Sequence, residues 1–443
     1  MNNTLKSREV VAVGLMLFAL FLGAGNLIFP PLLGQQAGKN VWIAIAGFLI
    51  TGVGLPLLAV TAIANVQGDL KALSSRVHPT FGVFFPILSY VAIGPLFGIP
   101  RTGTVGFEMG MKPFLSDKLA TEWYMLLFYT ILYFGVTWYL SINPSQLIDW
   151  FGKWITPLLV VVVCVIVGKA IISPVGKAAE PMTGYDTGAF FKGFIQGYLT
   201  MDAIGALVLG IVVVQAIRAK GVTEKKQIAK TTIMAGAIAA VGLILIYISL
   251  AFVGSTSIAL GKSENGGTIL TAVVNELFGP TGKVLLAFVI TFACLTTSVG
   301  LTSACAEFFS KMFSISYKKI VTIICVFSLF VSNLGLTQLI QVTLPVLIAI
   351  YPIAIVLILL SFVKKVKSSV YMGAVIGSFA VSLCNALESV GVKLGALSDL
   401  LQALPLYTSG IGWLLPAIVG GVIGLVMPSS QKPSPSYVQK KGA

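Results

Sequence analysis

Histidine is almost absent from this chain: the one present, His78, sits in a basic loop among 443 residues. Histidine-based triads, zinc sites and haem ligation therefore have almost nothing to work with. Charge is equally scarce, with Asp, Glu, Lys and Arg together making up 10% of the residues. A convergent catalytic set is missing, so the chain does not read as an enzyme. The five cysteines, Cys164, Cys294, Cys305, Cys325 and Cys384, lie inside apolar runs with no C-x-x-C spacing. Neither disulfides nor a metal site is expected from them. Walker A sequences are lacking too, and no soluble stretch could hold a nucleotide, which argues against an ATP-driven pump.

What the chain has in excess is apolar surface: 57% of its residues are hydrophobic and the mean hydropathy is +0.97. A water-soluble core of this length would not require it. The apolar stretches are continuous rather than short and alternating, so they predict transmembrane helices, not a β-barrel. The formal net charge of +14 could suggest nucleic acid, but the basic residues lie in short inter-helix loops. Orientation in a lipid bilayer explains them better, and no nucleic-acid partner is expected.

Twelve spans are read at 9–33, 41–64, 82–111, 122–140, 149–172, 190–217, 229–254, 281–311, 318–334, 337–363, 369–390 and 408–428. With an even number of spans both termini share a side. Lys6 and Arg8, Lys71 and Arg76, the Arg218 to Lys230 cluster, Lys311 with Lys318 and Lys319, and Lys364 with Lys365 and Lys367 all fall on one face. The positive-inside rule makes that face cytoplasmic. One transmembrane domain, 1–428, is expected, followed by a Pro/Ser-rich basic tail, 429–443, that reads as disordered. On the opposite face, "NGGTILTAVVNELFGP" offers Thr268 as the cap of a short helix carrying Ile269, Val273 and Leu277. Such a helix is either a lid over an entrance or an ordered surface loop.

The first span holds the residues a lipid-buried helix should avoid. In "FLGAGNLIFPP", Gly23, Ala24 and Gly25 let the backbone leave helical geometry, and Pro30 and Pro31 remove donors further along. Two half-helices with an open elbow are expected, because irregular backbone at membrane depth is tolerated only where it is packed in protein or lines a wet cavity. A kink that merely permits packing is the alternative. The sixth span repeats the signal in "QGYLTMDAIGAL", with Gly197, Thr200 and Asp202 in an apolar run. Interrupted spans one and six, five apart, suggest two five-helix repeats of opposite orientation, at 9–172 and 190–363, with two extra helices over 369–428. "TGTVG" in span three faintly echoes "TTSVG" in span eight.

Span eight carries "CLTTSVGLTSA", whose hydroxyls either bond back to their own helix or serve an ion. Adjacent Thr297 and Ser298 offer two neutral oxygens, which suit a hard, weakly bound Na⁺ (by extension from). Arg101, two-thirds of the way along span three, is a charge that must be paired or line a wet path. Glu108, seven residues on, is ~10 Å away along the helix. Asp202 is the better partner for a structural pair, and a gate is the other reading. Asp202 or Glu108 could also serve proton coupling.

"FLGAGNLIFPPLLGQQAG", "GPLFGIPRTGTVGFEMG" and "CLTTSVG" together resemble the branched-chain amino acid:cation symporter family, within the amino acid-polyamine-organocation superfamily. The resemblance covers essentially the whole chain. It implies an all-α membrane protein of twelve transmembrane helices, with the five-plus-five inverted repeat of the bacterial leucine transporter and discontinuous helices one and six. It implies import of leucine, isoleucine or valine with Na⁺ by alternating access in the bacterial cytoplasmic membrane, both termini cytoplasmic, with no cofactor and no ATP. A same-fold carrier driven by H⁺, or taking another small solute, is the alternative. By resemblance Gly23, Ala24, Gly25 and Asn26 would meet the substrate's carboxylate and backbone, with Tyr198 and Thr200 opposite. The carbonyls of Ala19, Leu22 and Cys294 and the hydroxyls of Thr297 and Ser298 would surround the ion.

Overall fold

A computed structural model describes residues 5–66, 68–142 and 146–428, and the tail expectation over 429–443 lies outside them. Among the described residues a helix falls within each of the twelve predicted spans, and eight helical stretches are long and apolar enough to cross a bilayer. Span one is two helices, Ser7–Phe21 and Ala24–Ala37. The break falls at Leu22 and Gly23, and the second half runs on through Pro30 and Pro31. Span six is likewise divided: Ala189–Gln196 continues as the tight turn Gly197–Thr200, Met201 turns left-handed at φ 61°, and a second helix runs Asp202–Ala219. A non-glycine residue at positive φ is strained, and such strain collects where the surroundings hold it in place.

Span three also breaks, which the sequence reading placed in one continuous helix. Phe81–Val91 passes through a wide turn, Gly94 leaves helical geometry at φ −88°, ψ −115°, and Gly98–Gly106 begins a new helix. Pro95 has no N–H to continue the ladder. A side chain at Gly98 would run into the Ile93 carbonyl, so only glycine fits that crossing.

Glycines let the broken spans sit close to their neighbours. Gly34 and Gly254 each face a carbonyl of the partner, on Ala251 and Pro31, which brings span one's second half against span seven, Lys225–Ser255. Spans eleven, Ser368–Ser389, and twelve, Leu414–Val426, use Gly373 against Gly420 and Gly377 against the Pro416 carbonyl. This is small-residue packing of the kind that associates helices in lipid, where no hydrophobic force separates protein from tail. Span twelve is shorter than predicted: residues 408–413 are turns and irregular chain instead of helix.

On the basic face, Arg76 donates to the Tyr371 hydroxyl, which donates to the Leu360 carbonyl, tying the loop after span two to the connection between spans ten and eleven. On the opposite face, Gly266–Phe313 contains the short helix the sequence suggested and then span eight, separated at Gly279, φ 63°, and Pro280. The cap of that helix is Asn265, whose side chain accepts from the Thr268 N–H, while the Thr268 hydroxyl bonds back to the Asn265 carbonyl. The expectation that Thr268 caps it is corrected: the capping oxygen must precede the first turn, and Thr268 is already inside it. Ile269 and Val273 are buried as expected, and Gly266 lies against the Ile28 carbonyl of span one.

Candidate functional site

The breaks in spans one and six face each other across a cavity of ≈60 Å³, several times the ~10–15 Å³ a single water needs. Gly23, Gly25 and Asn26 of span one and Thr200, Met201 and Asp202 of span six line it, with Arg101 and Thr102 of span three and Thr297 of span eight. Its apolar wall is Leu20, Phe21, Ile93, Leu209 and Leu301. Leu20, Leu209 and Leu301 all lie on the stretches that lead from the breaks to the basic face. Outside the cavity lining, Tyr198 of span six stacks on Tyr351 of span ten with centroids 4.2 Å apart, and both are buried.

Asn26 is the bracket of the span-one break. Its Oδ1 accepts from the Gly23 N–H at 3.3 Å, and its Nδ2 donates to Asp202 Oδ2 at 2.6 Å and to the Tyr247 hydroxyl. Tyr247, from span seven, donates to the same Asp202 oxygen at 3.1 Å. Sequence reasoning missed Tyr247, whose only signal is a lone tyrosine in the apolar run "LILIYISL". Asp202 stands at the first residue of its helix, where a carboxylate is favoured by the helix dipole. Thr200 finishes the turn: its hydroxyl donates to the Gly197 carbonyl and accepts from the Asp202 N–H.

Arg101 reaches the span-six break from span three. Its guanidinium donates to the Leu199 carbonyl and, at 3.3 Å, to the Thr200 carbonyl, and it lies 5.2 Å over the Phe29 ring. A helix that stops leaves its last carbonyls without partners, and Arg101 supplies donors to two of them. The direct Arg101–Asp202 pair expected from the sequence does not form: the Asp202 carboxylate takes Asn26 and Tyr247 instead. Glu108 is elsewhere, bonded to Lys112 at 2.9 Å near the far end of span three.

The remaining predicted residues divide. Thr297 faces the span-one break, its Oγ1 3.8 Å from where a Gly23 side chain would begin, and its proton goes to the Ala293 carbonyl. Ser298 is turned away and accepts from Thr137 of span four, Trp123–Ile142, at 3.4 Å. Successive residues on a helix point ~100° apart, so both hydroxyls cannot face span one. Cys294 is buried one turn before Ser298. Ala19 lies in the N-terminal half of span one, and Leu22 ends it. Ala24 opens the second half-helix, where the first N–H groups have no intrahelical acceptor. Tyr198 lies in the aromatic layer rather than on the cavity wall.

Paired helix breaks around a cavity, in a bundle of long apolar helices, form the fold of solved transporters. The chain superposes on MhsT in complex with L-phenylalanine with a TM-score of 0.56 at 14% identity, covering 96% of this chain and 99% of that one. The nucleobase-cation-symport-1 family transporter Mhp1, in a closed conformation, gives 0.59 at 15% identity over 96% and 93%. The sequence narrows the class. Residues 6–431 match the family model described as branched-chain amino acid transport protein, and the chain belongs to that family, whose members are transport proteins and not enzymes. It is 49% identical to the branched-chain amino acid permease BrnQ of Bacillus subtilis, over 96% of this chain and 98% of that one. It is 46% identical to the branched-chain amino acid transport system 2 carrier protein of Pseudomonas aeruginosa, over 95% and 96%. Against BrnQ of Escherichia coli K12 the identity is 44%, over 96% and 97%.

Proposed function

We propose that this protein imports leucine, isoleucine and valine across the cytoplasmic membrane, coupled to Na⁺, by alternating access around the cavity between the two helix breaks. The observation that carries the reading is the cavity itself: one side offers charged and polar groups at the breaks, and the other a wall of aliphatic side chains. An amphiphilic solute with a polar head and a branched apolar tail complements both. The names of the bacterial relatives support the same substrate class. The clustering of basic loops supports a cytoplasmic location for both termini.

For the ion, Thr297 is the side chain best placed. Its proton is committed to Ala293, so its free lone pairs face the break in span one at Gly23, beside the stretch from which the family resemblance draws the Ala19 and Leu22 carbonyls. Ser298 contributes less, since its oxygen is engaged with Thr137. Proton coupling is the second reading, favoured by one feature, the Asp202 carboxylate on the cavity wall. Reconstituted protein given Na⁺ and pH gradients separately distinguishes them: a Na⁺ gradient alone should drive labelled leucine uptake. Uptake driven only by the pH gradient would assign the coupling to H⁺. Absence of both uptake and leucine counterflow would overturn the carrier reading.

A further inference from the structure

The geometry points to Arg101 and Asp202 as the two poles that recognise the substrate as a zwitterion, the guanidinium taking the α-carboxylate and the Asp202 carboxylate the α-ammonium. This rests on the amino acid transport proposed above and names the groups that read the substrate's charge. Three observations carry it. First, both groups line the same cavity, although each is only 8% exposed. Second, they do not pair with each other, although they are of opposite sign and close to one wall; each is held by neutral groups instead, Arg101 by the Leu199 and Thr200 carbonyls and Asp202 by Asn26 and Tyr247. Third, both retain hydrogen-bonding capacity. Two carbonyls do not exhaust the donors of a guanidinium, and Asn26 and Tyr247 both donate to the same Asp202 oxygen, Oδ2.

Two opposite charges buried apart at membrane depth are costly unless something completes them. A zwitterion does so for both at once, with no change in net charge. A monovalent solute satisfies one and leaves the other facing an uncompensated or like charge. The neutral cradles also explain why the pair does not collapse. Asn26 and Tyr247 hold the carboxylate toward spans one and seven, while the carbonyls hold the guanidinium toward the end of the first half of span six. The aliphatic residues Ile93, Leu209 and Leu301 then meet the side chain.

The test is competition against labelled leucine on the full-length protein in detergent or proteoliposomes. The competitors are 4-methylpentanoate, which lacks the ammonium, and leucinamide, which lacks the carboxylate. The unmodified protein should bind leucine and reject each analogue by at least ~100-fold, as sites built to bond a charged group reject analogues lacking it. Arg101→Gln should weaken leucine and narrow its margin over leucinamide to within ~10-fold, because the repulsion of the uncompensated cation is gone. Asp202→Asn should do the same for 4-methylpentanoate and leave the margin over leucinamide wide. Competition by either analogue within ~10-fold of leucine on the unmodified protein overturns the proposal, even if neither variant folds. So does an unchanged analogue ranking in folded variants. Failure of the unmodified protein to bind leucine at all would instead overturn the substrate reading on which the proposal rests.

Discussion

Two glycines two residues apart in span one should respond very unequally to the same methyl group. A Cβ on Gly25 would lie 2.7 Å from Nη2 and 2.9 Å from Cζ of Arg101, and 3.2 Å from Cε2 of Phe29. Non-bonded heavy atoms settle near ~3.5 Å, so the guanidinium must move by just under ~1 Å. Toward span six the way is blocked by the carbonyls it already bonds. Any other direction pulls Nη2 off the Thr200 carbonyl, where the 3.3 Å bond has little length to spare. Losing a hydrogen bond from a charged donor costs ~1.5–3 kcal/mol, or roughly 10- to 150-fold in an equilibrium constant. Because the end of a long side chain gives way and not the backbone, Gly25→Ala should still insert and fold. A Cβ on Gly23, by contrast, would meet only Thr297, at 3.6 and 3.8 Å, in ordinary contact, and its φ of −102° suits alanine. Gly23→Ala should therefore cost less than ~0.5 kcal/mol, as substitutions without a named lesion do. Leucine half-saturation in proteoliposomes, normalised to protein content, reads both. On an Arg101→Ala background, Gly25→Ala should add no more than ~2-fold to the loss of heat-resistant protein, since the clash has gone. Equal effects of the two glycine changes, or full additivity with Arg101→Ala, would refute the reasoning.

Tyr247→Phe should cost ~1.5–3 kcal/mol by removing a donor to a buried carboxylate without changing shape; an unaltered thermal profile of leucine-bound protein would mean that the Asp202 contact is incidental. Thr297→Ala should raise the Na⁺ concentration for half-maximal uptake several-fold more than Ser298→Ala, and the reverse order would place the ion on the span-four side. Gly373→Leu should sharply reduce membrane abundance by driving into the Gly420 carbonyl, whereas Gly135→Leu, with nothing within 4 Å of its Cβ position, should express normally; quantitative blotting compares them. Asn265→Ala should destabilise the short helix over span one by ~1 kcal/mol, seen as faster hydrogen exchange in 266–278, and unchanged exchange would show that packing alone holds it.

The breaks in spans one and six were legible because their causes are residue types. Glycines and an aspartate in an otherwise apolar run have few structural excuses at membrane depth. The exact turning points were less so. Pro30 and Pro31 look like the stronger disruptors, yet the helix absorbs them and bends at Leu22 and Gly23, where Asn26 reaches back to the Gly23 N–H. Met201 carries no signal for a left-handed turn, since its conformation is imposed by Thr200 and Asp202 on either side. Counting acids pointed Arg101 at Asp202, because backbone carbonyls have no letter in a sequence; the break that exposes them is what redirects the guanidinium. Thr297 and Ser298 were indistinguishable for a related reason. Periodicity says they point ~100° apart, but which one faces span one depends on how spans three, four and eight pack.

Spans one, three, six and seven are joined beside the cavity by polar contacts. Asn26 joins span one to spans six and seven through one carboxylate oxygen, and Arg101 joins span three to the last carbonyls before the break in span six. Away from the cavity none of these groups meets water, so a shift of span one against span six has to be met by new partners inside the cavity. Substrate is such a partner. A solute that bonds Arg101 and Asp202 changes the cost of moving both breaks at once, whereas one that merely fills the aliphatic wall changes neither. On the proposal above, charge recognition and helix movement use the same set of bonds. The aromatic layer of Tyr198 and Tyr351 sits on the span-six turn that Arg101 holds and on span ten. A rearrangement of that turn therefore moves Tyr198, which is part of it, against Tyr351.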